Sequence, residues 1–161
     1  LLYAAVAATL GPAGVAACAA QGLLAGGLRE TVNYLEHYGL RRRELGPGRY
    51  EPVAPEHSWN SGHRLSNLYL FNLARHSDHH WQASRPYEQL RDRSDAPQLP
   101  AGYSSMLLVS LLPPLWFRVM NPRVIAACNG EVRRMHIEPA KKNRLLRQYG
   151  LSEEQPAANA A

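Results

Sequence analysis

The chain has 161 residues, of which 45% are hydrophobic and 19% are charged, and its formal net charge is +5. This length allows one domain with a sizeable core. The two cysteines, Cys18 and Cys128, form neither a CxxC pair nor a disulfide framework, and we expect both to be small buried side chains. Because no recognised nucleic-acid-binding motif accompanies the positive charge, we expect no nucleic-acid partner and favour an anionic membrane surface.

The first 28 residues form an apolar segment without a charged residue, and all 18 lysines and arginines follow it. A transmembrane helix needs about 20 mostly apolar residues, so the segment predicts one, although Gly11 and Pro12 lie inside it. Its many small residues favour close packing against other membrane helices. Arg29 and arginines 41–43 follow closely, and positive charge marks the cytoplasmic side of a span. We therefore expect the residues after the segment to face the cytoplasm.

The apolar segment differs from a secretory signal peptide, which begins with positive charge and has a shorter apolar region. The sequence also begins without a methionine. We therefore expect the 161 residues to be the C-terminal part of a longer protein.

Beyond the apolar segment, the helical pattern continues through RETVNYLEHYGL, and Gly39 predicts its end. A glycine-proline-glycine run at 46–48 predicts a turn. A loop follows, and HRLSNLYLFNLARHSDHH at 63–80 predicts a second helix. Residues 104–120 are apolar, but two prolines interrupt them, and we expect this segment to lie along a surface rather than to span a membrane.

Three histidines near the end of the second predicted helix form a cluster. His76, His79 and His80 have the spacing i, i+3 and i+4, which places three imidazoles on one helix face. This spacing is typical of metal ligands, and zinc, copper and non-haem iron all fit it. Asp78 lies between them and either hydrogen-bonds a neighbouring imidazole or is solvated. For any single histidine, an exposed position at a polar helix end is the simpler interpretation.

Several motifs occur in one order along the chain. They are NYLEHYGL at 33–40, HSWNS at 57–61, LARHSDHH at 73–80, RPYEQLRD at 85–92, QLPAGY at 98–103 and PPLW at 113–116. Together they resemble the membrane alkane hydroxylases (alkane 1-monooxygenases) of the fatty-acid-desaturase-like histidine-box superfamily. The resemblance runs from about Thr31 to about Val124, and NYLEHYGL separates these hydroxylases from desaturases and sterol hydroxylases. Ala74, Trp81 and Gly62 depart from the residues usual in the family.

The resemblance implies an all-α integral membrane protein. Residues 1–140 would be the C-terminal part of a di-iron hydroxylase domain, with a transmembrane helix at 1–28 and a cytoplasmic catalytic region at 29–140. Residues 141–161 would be a basic to disordered tail.

The resemblance also implies a site with two iron ions. The ligands that this chain contributes would be His37, His76, His79 and His80, and Glu36 and Asp78 would be carboxylates that hydrogen-bond to them. The HExxH and HxxxHH boxes of the family have no counterpart in the sequence. We therefore expect the 161 residues alone to be inactive. We expect His63 to bond near the site, and His57 and His136 to lie on the surface.

The implied reaction is hydroxylation of the terminal methyl group of medium- to long-chain n-alkanes to 1-alkanols. It uses O2 and electrons from a separate rubredoxin served by a reductase. A terminal methyl group has no charge, acidity or leaving group, so acid-base catalysis cannot act on it and oxygen must be activated instead. The implied location is the bacterial inner membrane, in a multi-pass protein whose active site faces the cytoplasm.

Arginines 41–43, 85, 91 and 93 form a basic surface in this interpretation, which fits an acidic electron carrier or lipid headgroups. Two alternatives stay open. One is a fatty acid desaturase or another histidine-box hydroxylase, and the other is a non-catalytic, membrane-anchored metal-binding protein.

Overall fold

A computed structural model describes residues 1–153, which form a mainly helical protein. The helices are α1 (Leu2–His37), α2 (Arg64–Tyr69), α3 (His76–Trp81), α4 (Tyr103–Ser110), α5 (Pro113–Ala127) and α6 (Pro139–Tyr149). The strands β1 (Glu44–Gly46) and β2 (Arg49–Tyr50) form an antiparallel hairpin around the predicted turn. The short 3₁₀ helices are Pro55–His57, Tyr87–Gln89 and Val132–Arg134. The predicted all-α class is confirmed.

The chain divides into two compact units, residues 1–34 and the residues from 35 onward. The first unit is most of α1, whose alanines and leucines favour a helix. Gly11 interrupts it with φ 64° and ψ −166°, directly before Pro12, as expected because proline disfavours a helical conformation in the residue before it. Within residues 1–153, α1 is the one helix that is long and apolar enough to cross a membrane. This finding supports the predicted transmembrane helix.

The end of α1 agrees with the prediction. The helix stops at His37, and Gly39 adopts a left-handed conformation with φ +72°, as glycine commonly does beyond a helix C-terminus. The chain then pairs with a distant segment: Gly39 accepts a hydrogen bond from the His136 N–H, and Arg41 donates one to the Arg134 carbonyl, both at 2.9 Å. These bonds fix the path of the chain after His37 within the second unit.

The single helix predicted over residues 63–80 is wrong, because the structure has two short helices there. Phe71 and Asn72 between α2 and α3 have φ values of 51° and 60°, which end one helix before the next begins. Tyr87 stabilises this break: its carbonyl accepts a hydrogen bond from the Asn72 amide at 3.2 Å, and its ring contacts the Phe71 ring edge-on. The histidine cluster therefore lies on a six-residue helix of its own, α3.

The predicted surface segment at 104–120 is only partly on the surface. Proline at its first turn starts α5 and separates it from α4, as the sequence indicates. However, Met106, Trp116 and Met120 are almost fully buried, whereas Leu108 and Leu111 on other faces are exposed. One face of these helices thus belongs to the core of the second unit. Other large buried side chains of that core are Leu35, Trp59, Leu90 and Tyr103.

Part of the predicted basic tail is a helix, α6, which carries lysines and arginines and ends at Gly150 in a left-handed conformation. The predicted disorder falls mainly on residues 154–161, which lie outside the described residues. Cys128 is buried as expected, Cys18 is half-buried, and both thiols are free.

Candidate metal centre

Three imidazoles from two helices converge in the second unit. His37 is the last residue of α1, and His76 and His80 lie one turn apart on α3. One ligand nitrogen from each of the three lies within 4.8 Å of the others. The Nε2 atoms of His37 and His76 are 3.2 Å apart, and the His76 and His80 ring centroids are 4.3 Å apart. This geometry brings three of the four predicted ligands together.

The carboxylate of Glu36 lies behind His76. Its Oε1 atom is 3.3 Å from Nδ1 of His76 and accepts a hydrogen bond of 3.0 Å from the Tyr103 hydroxyl. All three residues are buried. A carboxylate that accepts the Nδ1 proton leaves Nε2 of the same imidazole free to bind a metal, which is the usual arrangement around ligating histidines.

The backbone carbonyl of His57 orients the His37 ring, because the imidazole hydrogen-bonds to it. His57 itself is buried, so its predicted surface position is wrong. Its Nδ1 atom accepts the Ala54 N–H at 2.9 Å, and its Nε2 atom lies 2.9 Å from Glu51 Oε1. His136 is exposed, as expected.

The segment that follows His57 bonds both to the end of α1, in the second unit, and to α3. The Trp59 backbone N–H donates to the Glu36 carbonyl and the Trp59 indole to the Tyr38 carbonyl, both at 2.8 Å. These bonds satisfy carbonyls that a helix C-terminus leaves unpaired. The Ser77 hydroxyl on α3 donates to the Ser58 carbonyl at 2.9 Å. The motif HSWNS thus connects the last turn of α1 to α3, the two elements that carry the imidazoles.

The other two predicted site residues, His79 and Asp78, lie apart from the three imidazoles. The His79 ring centroid is 5.8 Å from that of His80 and 6.1 Å from that of His76. Asp78 is fully buried, but it pairs with the Arg85 guanidinium and accepts the Arg91 backbone N–H at 2.9 Å. Among residues 1–153, no imidazole hydrogen bond to Asp78 is found, and Asp78 instead joins α3 to the 85–91 loop. His63 is exposed and bonds to Ser61 rather than to the cluster.

The electrostatics of the cluster keep the imidazoles neutral. Burial, together with the neighbouring His80, His37 and His79, lowers the pKa of His76 to about 2. Burial also lowers the pKa of His80. A neutral imidazole that donates one N–H outward presents a lone pair at its other nitrogen. Three imidazole nitrogens within 4.8 Å of one another are a donor set that fits a transition-metal ion.

The pKa of Asp78 reflects its partners. Burial alone would raise it, but the Arg91 N–H and the Arg85 guanidinium lower it below the ordinary value for an aspartate. The carboxylate is therefore charged at neutral pH.

A groove of about 400 Å³ adjoins the cluster. It is lined by residues of the second unit, including His37, His80, Arg41, Arg42 and Tyr50. The predicted basic surface of arginines 41–43, 85, 91 and 93 is weaker than expected, because four of these six arginines pair with carboxylates. The pairs are Arg41 with Glu44, Arg43 with Glu51, Arg85 with Asp78 and Arg93 with Asp95.

Gly62 and Trp81, two of the residues that depart from those usual in the family, have defined neighbours in the structure. A side chain at Gly62 would meet the Asp92 carboxylate. Trp81 is 43% exposed, and the Arg93 guanidinium lies 4.3 Å from the centre of its ring. This cation–π contact holds the indole beside the end of α3.

Comparison with known proteins identifies relatives of this chain. Residues 1–110 match the fatty acid desaturase family model. Alkane 1-monooxygenase 2 of Pseudomonas aeruginosa is 56% identical over 111 residues, which are 69% of this chain and 29% of that protein. Alkane 1-monooxygenase 1 of Alcanivorax borkumensis is 43% identical over 152 residues, 94% of this chain and 37% of that protein. The xylene/toluene monooxygenase hydroxylase component XylM of Pseudomonas putida is 33% identical over 98 residues, 61% of this chain and 25% of that protein.

The chain thus spans between 25% and 37% of the length of these relatives. The comparisons confirm the resemblance to alkane hydroxylases that the motifs indicated. The apolar helix and the family together support a membrane protein, and the family together with the histidine cluster supports a metal cofactor. On the match over residues 1–110, the chain belongs to the fatty acid desaturase family.

Proposed function

We propose that this chain is part of an alkane 1-monooxygenase, which hydroxylates the terminal methyl group of medium- to long-chain n-alkanes to 1-alkanols with O2. The observation that carries the proposal is the convergence of His37, His76 and His80 in a chain whose relatives include alkane 1-monooxygenases. Those relatives are named as alkane 1-monooxygenases. The imidazole cluster supplies a donor set for the metal that such a reaction needs.

The residues of this chain would hold one face of a di-iron site. His37, His76 and His80 provide the clustered nitrogens, while Glu36 and the His57 carbonyl orient the rings. We propose His79 as a ligand of the second iron ion, because its ring lies close to the cluster without joining it. Bound iron would supply the oxygen activation that attack on an unactivated C–H bond requires.

Alkanes partition into the hydrocarbon core of a membrane, so a site in a membrane protein can receive them from there. We propose a multi-pass protein of the bacterial inner membrane with its site on the cytoplasmic side, supported by the arginines that follow the apolar segment. Rubredoxin, reduced by its reductase, is the proposed electron donor. The groove lined by His37, His80, Arg41 and Arg42 supports an approach of an acidic protein to the site.

The test uses the complete open reading frame that contains these residues, expressed in bacterial membranes with iron, reduced rubredoxin and a series of n-alkanes. We expect 1-alkanols as products, measured by gas chromatography and mass spectrometry. His80→Ala removes a clustered nitrogen, and we expect it to abolish product formation. His136→Ala is the matched control, because this histidine is exposed and outside the cluster.

The other outcomes separate the alternatives. Desaturated fatty acids without alkanols would indicate a desaturase. Oxidation of toluene or xylene methyl groups in place of alkanes would indicate a substrate class closer to that in the name of XylM. Metal binding without oxygen consumption would indicate a non-catalytic protein. Each of these results would contradict the proposal.

A further inference from the structure

The motif QLPAGY at 98–103 lies outside the proposed set of metal ligands. Its last residue, Tyr103, begins α4, and only 2% of its surface is exposed. Its hydroxyl donates to Glu36 Oε1 at 3.0 Å, across 67 positions of sequence. The same Oε1 atom lies 3.3 Å from Nδ1 of His76. Tyr103, Glu36 and His76 therefore form a connected polar chain inside the core.

The backbone around Tyr103 is also fixed. The Tyr103 N–H donates to the Ser66 hydroxyl at 2.9 Å, which ties the start of α4 to α2. A Cβ atom at Gly102 would lie 2.7 Å from that hydroxyl oxygen, so the close approach requires glycine. Burial raises the pKa of Tyr103, so its hydroxyl stays protonated and remains a hydrogen-bond donor.

We propose that Tyr103 is a positioning residue of the metal centre, which holds the Glu36 carboxylate in the orientation that fixes the His76 imidazole. This inference rests on the proposed function, because it assumes that His76 binds a metal. A carboxylate oxygen that accepts from Tyr103 and also lies 3.3 Å from Nδ1 of His76 has less freedom to rotate than one with a single neighbour. Loss of the tyrosine hydroxyl leaves Glu36 free to turn away from His76.

The test uses the protein from the complete open reading frame, purified in detergent and loaded anaerobically with Fe(II). Tyr103→Phe removes the hydroxyl and keeps the ring. We expect it to release iron to a chelator about threefold faster or more, and to change the Mössbauer spectrum. Loss of a partner that directly bonds a ligating histidine changes metal affinity by about 10–100-fold. Tyr103 contacts Glu36 rather than the histidine itself, so we expect a smaller effect.

Tyr69→Phe is the matched control, because the Tyr69 hydroxyl bonds Ser104 on the same helix α4 but is exposed. We expect it to keep the wild-type release rate and spectrum. Glu36→Gln tests the connection: if Tyr103 acts through Glu36, adding Tyr103→Phe to Glu36→Gln changes neither readout further. If Tyr103→Phe does not fold, Ser66→Ala is a milder variant, because it removes only the acceptor of the Tyr103 N–H. We expect Ser66→Ala to change the iron release rate and the Mössbauer spectrum in the same direction.

An unchanged release rate and spectrum in Tyr103→Phe would overturn the inference, and so would a lower melting temperature with a wild-type spectrum. Additive effects of the Tyr103 and Glu36 substitutions would also overturn it. A wild-type protein that binds no iron would overturn the proposed function. Iron-loaded, alkane-hydroxylating wild type with an unaffected Tyr103→Phe would overturn this inference alone.

Discussion

The Nε2 atoms of His37 and His76 lie 3.2 Å apart, although the two residues are 39 positions apart in sequence. Each ring has an acceptor on its outer side, the His57 carbonyl for His37 and Glu36 for His76. Acceptors on the outer sides favour tautomers that turn lone pairs inward. Two inward lone pairs repel unless a cation or a proton lies between them, so this pair of rings is suited to hold a metal ion.

His79 and His80 should differ in their effect on metal content. We expect His80→Ala to lower metal affinity sharply, because it removes one of three clustered nitrogens. We expect His79→Ala to leave one of the two proposed iron equivalents in place. Metal analysis of the purified proteins from the complete open reading frame checks this. Two equivalents of iron in His79→Ala would exclude His79 as a ligand.

Replacement of Gly39 should destabilise the end of α1. Alanine at φ +72° is strained, and its Cβ atom would lie 2.5 Å from Val124 Cγ2. We expect Gly39→Ala to cost about 2–4 kcal/mol of unfolding free energy, the sum of a left-handed backbone and overpacking. Thermal unfolding in detergent measures the loss.

Two variants separate these contributions to the Gly39 effect. Gly48 has a similar φ of +68° with nothing within 4 Å of an added Cβ atom, so Gly48→Ala should show only the backbone cost. Val124→Ala should relieve the packing part of the Gly39→Ala loss. Equal losses in Gly39→Ala and Gly48→Ala would contradict the proposed clash.

The Asp78–Arg85 pair should contribute to stability rather than to chemistry. Asp78 is fully buried, and only 13% of the Arg85 side chain is exposed. Arg85→Ala leaves a buried carboxylate without its paired guanidinium, which typically costs about 3–5 kcal/mol. Arg91→Ala is the control, because Arg91 reaches Asp78 through its backbone N–H, which alanine retains. A melting temperature of Arg85→Ala equal to that of Arg91→Ala would show that the pair is not stabilising.

Cys128 should resist thiol reagents in the folded protein. Burial raises the pKa of its thiol to about 11, so that about a thousandth of it is thiolate at pH 8. In a Cys18→Ser background, we expect slow labelling that accelerates about tenfold for each pH unit between 8 and 10, and rapid labelling after unfolding. Labelling of the folded protein as fast as that of the unfolded protein at pH 8 would contradict the buried position.

Local signals explain which parts of the fold were predictable. The end of α1 follows from Gly39, and the start of α5 follows from its prolines, because these residues restrict or permit backbone conformations wherever they occur. The break between α2 and α3 has no such signal. Phe71 and Asn72 adopt positive φ values because Tyr87, from a later loop, holds them. A pattern read along the chain cannot show that contact.

The candidate site divides in the same way. The spacing of His76 and His80 places them on one helix face, and the structure confirms this placement. The contribution of His37 came from the resemblance alone, because it belongs to another helix. The burial of His57 and the bond between Tyr103 and Glu36 depend on contacts between separate segments, the latter across 67 positions. The composition of one segment gives no indication of such pairs.

The central claim is that His37, His76 and His80 bind iron. The most direct measurement is an anomalous difference map at the iron absorption edge, from crystals of the anaerobically iron-loaded protein of the complete open reading frame. The account predicts a peak bounded by the three imidazoles, with their inward nitrogens as ligands. A map without a peak there, from protein that contains iron elsewhere, would contradict it.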